Sequence, residues 1–254
     1  MRVHYENPPL AEAVCEFRFQ AGEPWDWTVP GRLFERVGSG FPAREHLPQG
    51  KSAPTAGLGV ARLLPAPVRM RFLRPDGNAM IQVGCDLLAV NYLRPYPGWE
   101  LFSSTIYAAL DAYEAVARPA GLARIGLRYI NRIEVPLLQP TLSVEASEYL
   151  TASPGVPPKW QGEPLRGFVQ RIEVPFASAQ AVLTVHSGSA ETDREDCAAF
   201  LVDLDFATDL TEALPLNHAR EWLEGAHREV FGAFQACITP KTEALFGRRE
   251  NATT

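Results

Sequence analysis

The sequence places charged side chains that could hold an anion on the polar faces of its predicted strands. Glu16 and Arg18 alternate with apolar residues along the first strand, and Arg128 and Arg132 do so along the longest one. An arginine can hold a carboxylate or a phosphate through two parallel hydrogen bonds. If loops enclose this face, the four side chains predict a polar binding pocket. If the face is open, they predict ion pairs worth about 0–1 kcal/mol each, and we favour this alternative.

Two asparagines and two aromatic residues are further candidates for a binding site. Asn91 and Asn131 interrupt strand patterns that are otherwise typical of a core. Because a buried amide must be satisfied, each is either bonded to the backbone, which we favour, or part of a site. Tyr96 and Trp99 lie beside an arginine in the turn RPYPGW, an arrangement common at interfaces. The alternative is that Trp99, at the start of a helix, packs against the sheet.

Two pairs of residues have spacings that could bind a metal. Glu224 and His227 show the ExxH spacing of helical di-metal sites, which also need a second ExxH that the sequence lacks. Asp203 and Asp205 share one face of a predicted strand, as the paired carboxylates of a metal-dependent nuclease would. We interpret the first pair as a solvated helix face and the second as alternate outward-facing acids. Neither a metal nor a cofactor is expected.

The usual catalytic motifs are absent from the chain. It contains no GxxxxGK[ST], no GxGxxG after a strand, no GxSxG and no HExxH. These absences remove the main support for phosphate-loop, dinucleotide-binding, hydrolase and zinc-protease functions. A serine or cysteine nucleophile that meets one of the five histidines only in the folded chain stays open. No catalytic residue is assigned.

The composition excludes further classes of protein. No run of about 18 apolar residues exists that could span a membrane, and the N-terminus MRVHYENPPLAEAV lacks the apolar run of a signal peptide. We therefore expect a cytoplasmic protein. Cys15, Cys85, Cys197 and Cys237 are scattered, which predicts small buried residues rather than a zinc site or disulfides.

The net charge of −6 hides an uneven distribution. Residues 55–75 and 115–133 each contain four arginines and no acid, whereas residues 190–229 contain eleven acids and three arginines. Neighbouring strands of opposite charge would account for this pattern. An anion-binding surface is the alternative.

The elements that must position these residues follow from hydrophobic periodicity. Apolar alternation and short apolar runs bounded by turns predict eight strands, at 12–20, 69–74, 79–83, 87–93, 121–136, 167–176, 181–187 and 198–206. Helical spacing predicts helices at 30–37, 99–117 and 216–238, with one helical turn near 144–149. Residues 40–66, rich in Pro, Gly and Ala, predict an irregular loop.

These elements predict an α+β fold: a large, mostly antiparallel sheet of about eight strands, with two long helices and one short helix packed on one face. Each half ends in a long helix after a run of strands, which suggests an internal duplication, although no residue-level repeat is found. We expect a single domain over residues 1–248, with halves 1–120 and 121–248. Residues 249–254 are expected to form a frayed tail.

Four segments of the chain resemble a sporadically distributed family of uncharacterised bacterial proteins. They are NPPLAEAVCEFRF at 7–19, IQVGCDLLAVNYLRPYPGWE at 81–100, GLRYINRIEVP at 126–136 and PKTEALFG in the C-terminal helical region. The resemblance spans nearly the whole chain and keeps the order of the segments. It implies a bacterial protein with a context among mobile or defence genes, and it implies no activity, substrate or catalytic residue. Cys85 lies where the family more often has proline, so Cys85 is expected to be incidental.

A binding role is the function that these observations favour. Many polar strand residues and the missing catalytic motifs predict a non-enzymatic module that holds a protein partner or a small anionic ligand. The alternative is an enzyme acting on a phosphate-containing or nucleic-acid substrate, with arginines holding the anion and Glu16, Asp203 or Asp205 supplying carboxylates. An inert scaffold subunit is a third hypothesis. Nucleic-acid and membrane partners are not favoured, and a homo-oligomer is compatible with the sequence.

Overall fold

The computed structural model describes residues 4–47, 69–137, 144–160, 166–209 and 212–249. The strands in these ranges are β1 (His4–Tyr5), β2 (Leu10–Gln20), β3 (Ala43–Leu47), β4 (Arg69–Leu73), β5 (Ala79–Gly84), β6 (Leu87–Leu93), β7 (Gly121–Pro136), β8 (Val169–Phe176), β9 (Ala181–Ala190), β10 (Cys197–Thr208) and β11 (Arg248–Arg249). The α-helices are α1 (Thr28–Val37), α2 (Trp99–Ala117), α3 (Ala219–Cys237) and α4 (Pro240–Leu245). Short 3-10 turns lie at Ala146–Glu148, Pro158–Trp160, Ala177–Ala179 and Leu216–His218.

Nine of these strands form one antiparallel sheet in the order β3-β4-β5-β6-β2-β7-β10-β9-β8. The predicted α+β fold with a large antiparallel sheet is therefore confirmed. The ninth strand, β3, lies in the stretch predicted as a loop, so that part of the prediction was wrong. Five residues are too few for a clear pattern, and β3 exists because it pairs with β4, which places Glu45 opposite Arg71. The loop prediction for residues 48–66 lies outside the described residues.

The topology of the first half of the sheet recurs in the second half. β2 and β7 pair at the centre, and each is the first long strand of its half. β6 flanks β2 and continues into α2, just as β10 flanks β7 and continues into α3. This recurrence is the arrangement that an internal duplication produces. The halves differ in the segment that follows their first long strand. In the first half this segment contains α1, whereas the described residues of the second half have only short 3-10 turns there.

The long helices cover one face of the sheet and form the core with it. α2 packs on β6, α3 packs on β7 and β10, and α1 packs on α2. The apolar residues that alternate along β2, such as Phe17 and Phe19, face these helices, and Phe19 stacks on Tyr113 of α2 at 4.3 Å. Burying a large apolar side chain contributes about 1.5–3 kcal/mol. The opposite face carries the charged residues of β2, β7 and β10, and we call it the polar face.

The two ends of the described chain lie together. β1 and β11 form a separate antiparallel pair, with Tyr5 opposite Arg248 and His4 opposite Arg249. Arg249 was predicted to belong to a frayed tail, and its pairing with His4 corrects that boundary. The remaining tail residues, 250–254, lie outside the described residues.

Candidate functional site

A pocket of about 960 Å³ opens on the helix-covered side of the sheet. Its walls come from the segment Pro8–Leu10, the turn Tyr96–Trp99, the middle of β7 and one face of α3. Most of its lining is apolar, with a few polar groups among the aromatic rings. Ligand sites in proteins have this size and character, so this pocket is the candidate functional site.

A chain of three polar side chains forms the floor of the pocket. The hydroxyl oxygens of Tyr96 and Tyr129 lie 3.1 Å apart, and the Tyr129 hydroxyl lies 3.0 Å from Nδ1 of His227. Burial raises the pKa of both phenols above the ordinary value of 10. Both hydroxyls therefore keep their protons at neutral pH and can donate hydrogen bonds.

One face of α3 is joined to α2 beside this chain. The His227 ring stacks on the Trp99 ring at 4.2 Å, with 5° between the planes. Trp99 Nε1 donates to Glu224 Oε2 at 3.0 Å, and the Tyr107 hydroxyl donates to Glu224 Oε1 at 2.9 Å. Helical spacing brings Glu224 and His227 to the same face because residues three apart are neighbours on a helix.

The interpretation of Glu224 and His227 as a solvated helix face needs correction. Glu224 is exposed but binds two side chains of α2, and His227 is only partly exposed because it packs on Trp99 and Tyr129. The two residues line an aromatic pocket. In the part of the chain that the structure describes, no group of three or more His, Cys, Asp or Glu residues is arranged to hold a metal ion.

Arg94 fixes the outer wall of the pocket. Its Nη2 donates to the carbonyl oxygens of Pro9 at 2.8 Å and Arg132 at 3.3 Å, and its Nε donates to that of Leu10 at 3.2 Å. The Arg132 N–H in turn donates to the Pro9 carbonyl at 2.9 Å. The guanidinium is a rigid fork of donors, so it holds the proline segment against β7.

The turn before α2 needs a glycine. Gly98 has a φ of +94°, which residues with a Cβ rarely adopt. This backbone conformation ends the turn Arg94–Gly98 and begins the helix at Trp99. As a result, Tyr96 and Trp99 both reach the pocket and contact Phe102, at ring distances of 5.9 and 6.1 Å.

Asn131 belongs both to the backbone network and to the pocket. Its side chain is buried, and Nδ2 donates to the carbonyl of Val202 at 3.2 Å and weakly to that of Tyr129 at 3.5 Å. It also lines the pocket. The Asn131 side chain therefore combines the two alternatives considered for it, an amide bonded to the backbone and a residue of the candidate site.

The charges around the pocket are mainly acidic. Glu100 and Glu224 contribute carboxylates to its lining, and Arg228 contributes the one arginine among the lining residues. These lining residues include no Ser, Thr, Cys or Lys. The pocket can therefore offer acceptors, phenol donors and aromatic faces to a ligand, but its lining holds no alcohol, thiol or amine nucleophile from Ser, Thr, Cys or Lys.

The structure divides the eight predicted binding residues between the two faces of the sheet. Tyr96, Trp99 and Asn131 line the pocket. The other five do not join them, because their side chains alternate to the polar face: Glu16, Arg18, Asn91, Arg128 and Arg132.

Ion pairs neutralise the middle of the polar face. Arg128 binds both carboxylate oxygens of Asp203, and Arg124 lies 3.2 Å from Asp205 and 3.4 Å from Glu16. Burial raises the pKa of Asp205 above its ordinary value of 3.8, while the neighbouring arginines act in the opposite direction. The two aspartates share a face as predicted, but Asp203 is buried beneath Arg128 rather than directed into solvent.

The remaining predicted residues of this face also have local partners. Arg18 pairs with Glu16 at 3.0 Å, and Arg132 pairs with Glu134 at 3.4 Å. Between strands, Arg124 and Arg128 of β7 pair with Asp205 and Asp203 of β10, which is the predicted pairing of neighbouring strands of opposite charge for these residues. Two arginines of β4 differ, since Arg69 Nε and Arg71 Nε and Nη2 are buried without a hydrogen-bond partner among the described residues.

Asn91 has a structural role on the polar face. Its Oδ1 accepts from Gln82 Nε2 at 2.9 Å, and its Nδ2 donates to Glu12 Oε1 at 2.7 Å. Burial raises the pKa of Glu12, and the hydrogen bond from Asn91 offsets part of that effect. This short network satisfies the Asn91 amide without any ligand.

The sequence analysis assigned no binding role to Tyr129 or Phe231, and it considered Glu224 and His227 only as a metal pair, although all four line the pocket. The alternation along β7 assigns Tyr129 to the apolar face without showing that its hydroxyl meets a histidine. A signal existed in α3, where a histidine and two phenylalanines share one side of the helix.

Among the cysteines, Cys85 is exposed and the other three are buried, so the prediction of burial was wrong for Cys85 alone.

Comparison with known proteins adds no family to these observations. A scan against protein-family models finds no match, and a search of curated proteins finds no significant relative. Of the helices that the structure describes, none combines the length and apolar character that crossing a membrane requires. The resemblance to the sporadically distributed bacterial family stays a prediction.

Proposed function

We propose that this protein is a binding module whose pocket holds a small molecule with an apolar body and a positively charged or hydrogen-bond-donating group. The observation that carries the proposal is the pocket itself, about 960 Å³ in volume and lined by aromatic rings around a few fixed polar groups. Such concave sites bury most of a ligand and use their few polar groups to orient it.

The polar groups of the pocket are held in place before any ligand binds. His227 is fixed between the Trp99 ring and the Tyr129 hydroxyl, and Glu224 is fixed by two donors from α2. A site whose side chains are already ordered loses little conformational entropy on binding. This order supports recognition of a defined ligand.

The charge of the lining favours a cation over the small anion predicted from sequence. Two carboxylates and one arginine line the pocket. An ionised carboxylate has about four acceptor positions, so Glu224 can accept from a ligand while it binds Trp99 and Tyr107. Aromatic faces also attract cations, by about 0.5–2 kcal/mol depending on desolvation.

Binding is better supported than the enzyme alternative. The lining residues hold no hydroxyl, thiol or amine nucleophile other than phenols, whose pKa values burial raises. The arginines predicted to hold an anion, Arg18, Arg128 and Arg132, are each paired with a carboxylate of the same face. No observation specifically favours phosphate or nucleic-acid chemistry.

The experiment uses two fluorescent probes of similar aromatic character, neutral Nile red and cationic thioflavin T. The variant His227→Ala should weaken the binding of both probes, since it removes the ring that Trp99 stacks on. Glu224→Gln should weaken thioflavin T about fivefold, the effect of about 1 kcal/mol, and leave Nile red unchanged. The matched control is Glu229→Gln, an exposed residue of α3 outside the pocket lining.

Two results would contradict the proposal. If neither probe binds the wild-type protein, the pocket does not accept apolar molecules. Probe binding that His227→Ala leaves unchanged would show that the dyes bind elsewhere. Circular dichroism of each variant separates loss of binding from loss of fold.

A further inference from the structure

Among the sheet strands of the described chain, only the edge strand β8 carries exposed large hydrophobic side chains. Six large hydrophobic side chains are exposed among the described residues, and three of them lie on β8: Val169 at 65%, Ile172 at 38% and Val174 at 40%. Only β9 pairs with β8 in the described chain, so its outer edge is without a partner strand there. An exposed hydrophobic edge is a template for pairing with another strand.

The direction of the backbone groups defines what the outer edge offers. The N–H of Ser189 donates to the carbonyl of Phe168 at 3.0 Å, so the backbone groups of Phe168 point toward β9. Since this direction alternates along an antiparallel strand, the backbone groups of Val169, Arg171 and Glu173 point outward. Pro175 also lies in the outward register, where it offers a carbonyl but no N–H.

We propose that β8 pairs with β8 of a second copy of this chain, antiparallel and about a two-fold axis through Ile172. This register places Arg171 opposite Glu173 of the second copy, and Glu173 opposite Arg171 of the second copy. Both are outward-pointing residues, so each pair exchanges two backbone hydrogen bonds. The opposite charges face each other on the same side of the sheet, which stabilises a cross-strand pair.

The charges select this register over its neighbours. Across this edge, outward-pointing residues must lie opposite outward-pointing residues. The two-fold axis can therefore pass through another residue of β8. An axis midway between two residues would place outward-pointing residues opposite inward-pointing ones, and the hydrogen bonds would not match. An axis through Arg171 would place two arginines opposite each other, and an axis through Glu173 would place two glutamates opposite each other. Like charges directly opposite are destabilising.

The pairing also covers the exposed apolar side chains. With the axis at Ile172, the two isoleucines lie directly opposite each other on the helix-covered side, and each Val174 lies opposite Gln170 of the second copy. The two nine-stranded sheets then become continuous. β8 is three strands away from β7, which forms the pocket floor, so this inference does not depend on the proposed ligand.

Cysteine cross-linking tests the register in a Cys85→Ser background, which removes the exposed native thiol. In the proposed dimer the two residues at position 172 form a non-hydrogen-bonded pair with Cα atoms about 4.5 Å apart, within disulfide range. The two residues at position 174 are separated by four strand positions, about 14 Å. Under mild oxidation Ile172→Cys should therefore give a disulfide-linked dimer, whereas the matched variant Val174→Cys should form the same non-covalent dimer without a disulfide and run as a monomer on a non-reducing denaturing gel.

A charge exchange tests the ion pairs independently in the protein with its native cysteines. Glu173→Arg places arginines opposite arginines and should weaken dimerisation about tenfold, measured by sedimentation equilibrium. Arg171→Glu with Glu173→Arg exchanges the charges and should restore it. A wild-type protein that stays monomeric at the highest attainable concentration overturns the proposal. Equal cross-linking at positions 172 and 174 overturns the register, and a double variant as weak as the single one overturns the charge pairing.

Discussion

The guanidinium of Arg128 on β7 holds both carboxylate oxygens of Asp203 on β10, with Nε 2.7 Å from Oδ1 and Nη2 2.5 Å from Oδ2. The Asp203 side chain is only 2% exposed. Two parallel hydrogen bonds to a buried carboxylate are among the stronger polar contacts in proteins. The pair joins two strands next to the centre of the sheet, on the face opposite the pocket.

Removing Arg128 should destabilise the protein strongly, because it leaves the Asp203 carboxylate buried without its cation. We expect Arg128→Met to lower the free energy of unfolding by about 3 kcal/mol, measured by denaturation in urea. The matched control is Arg132→Met on the same strand. Its partner Glu134 is about one-third exposed, so we expect a loss of about 1 kcal/mol or less.

The double variant Arg128→Met with Asp203→Leu should recover much of that loss. Replacing a buried ion pair by apolar side chains of similar size is often neutral. A double variant no more stable than Arg128→Met alone would show that the arginine acts through packing rather than through the Asp203 charge.

Glu12→Gln should stabilise the protein at neutral pH. Burial raises the pKa of Glu12 in the folded state, so the folded protein is most stable relative to the unfolded chain when Glu12 is protonated, and this contribution is lost as pH rises through the raised pKa. Glutamine keeps an acceptor for Asn91 Nδ2 and carries no charge.

The stability gain of Glu12→Gln should disappear at pH about 4 and below, where the carboxyl is protonated in both states because its ordinary pKa is 4.5. Unfolding free energies at neutral and acid pH provide the measurement, with the exposed Glu229→Gln as control. A gain that stays constant between the two pH values would assign the effect to packing instead of ionisation.

Tyr129→Phe should cost more stability than Tyr96→Phe. The Tyr129 hydroxyl bonds both Tyr96 and His227, whereas the Tyr96 hydroxyl takes part in only the first of these contacts. At about 1 kcal/mol per hydrogen bond, we expect losses of about 2 and about 1 kcal/mol in thermal or chemical unfolding. Equal losses for the two variants would mean that the contact with His227 contributes nothing.

Arg94→Lys should loosen the wall of the pocket without unfolding the sheet. A lysine cannot donate to three carbonyls in the fork arrangement of arginine, so the proline segment would be held less firmly. We expect the Arg132 amide, which donates to Pro9, to exchange its hydrogen on the order of tenfold faster. Arg118→Lys, an exposed arginine paired with Glu23 at 2.9 Å, should leave this exchange rate unchanged.

The fold was predictable because its signals are local. Alternation along β2 and β7 and the turn residues of the hairpins depend on neighbours in sequence, and these patterns also placed Arg128 and Arg132 on the correct face. β3 escaped prediction because a five-residue strand is specified mainly by the strand that it pairs with.

The pocket was only partly predictable because it depends on distant contacts. Tyr96 and Trp99 follow from the unusual turn RPYPGW, but their neighbour His227 lies more than a hundred residues away in sequence. The rotation of α3 on the sheet decides whether His227 faces solvent or Trp99. Hydrophobic periodicity predicts which side of a helix is polar. It does not show that one residue on that side, such as His227, packs against an aromatic turn.

The pairing of β2 with β7 has a consequence for synthesis of the chain. β2 ends at Gln20 and its central neighbour ends at Pro136. At about 5–20 residues per second, a ribosome needs roughly 6–23 s to make the chain between them. During that interval the nascent β2 carries an open edge, available to other nascent chains. Yield in a foreign host should therefore depend on codon choice between these two strands.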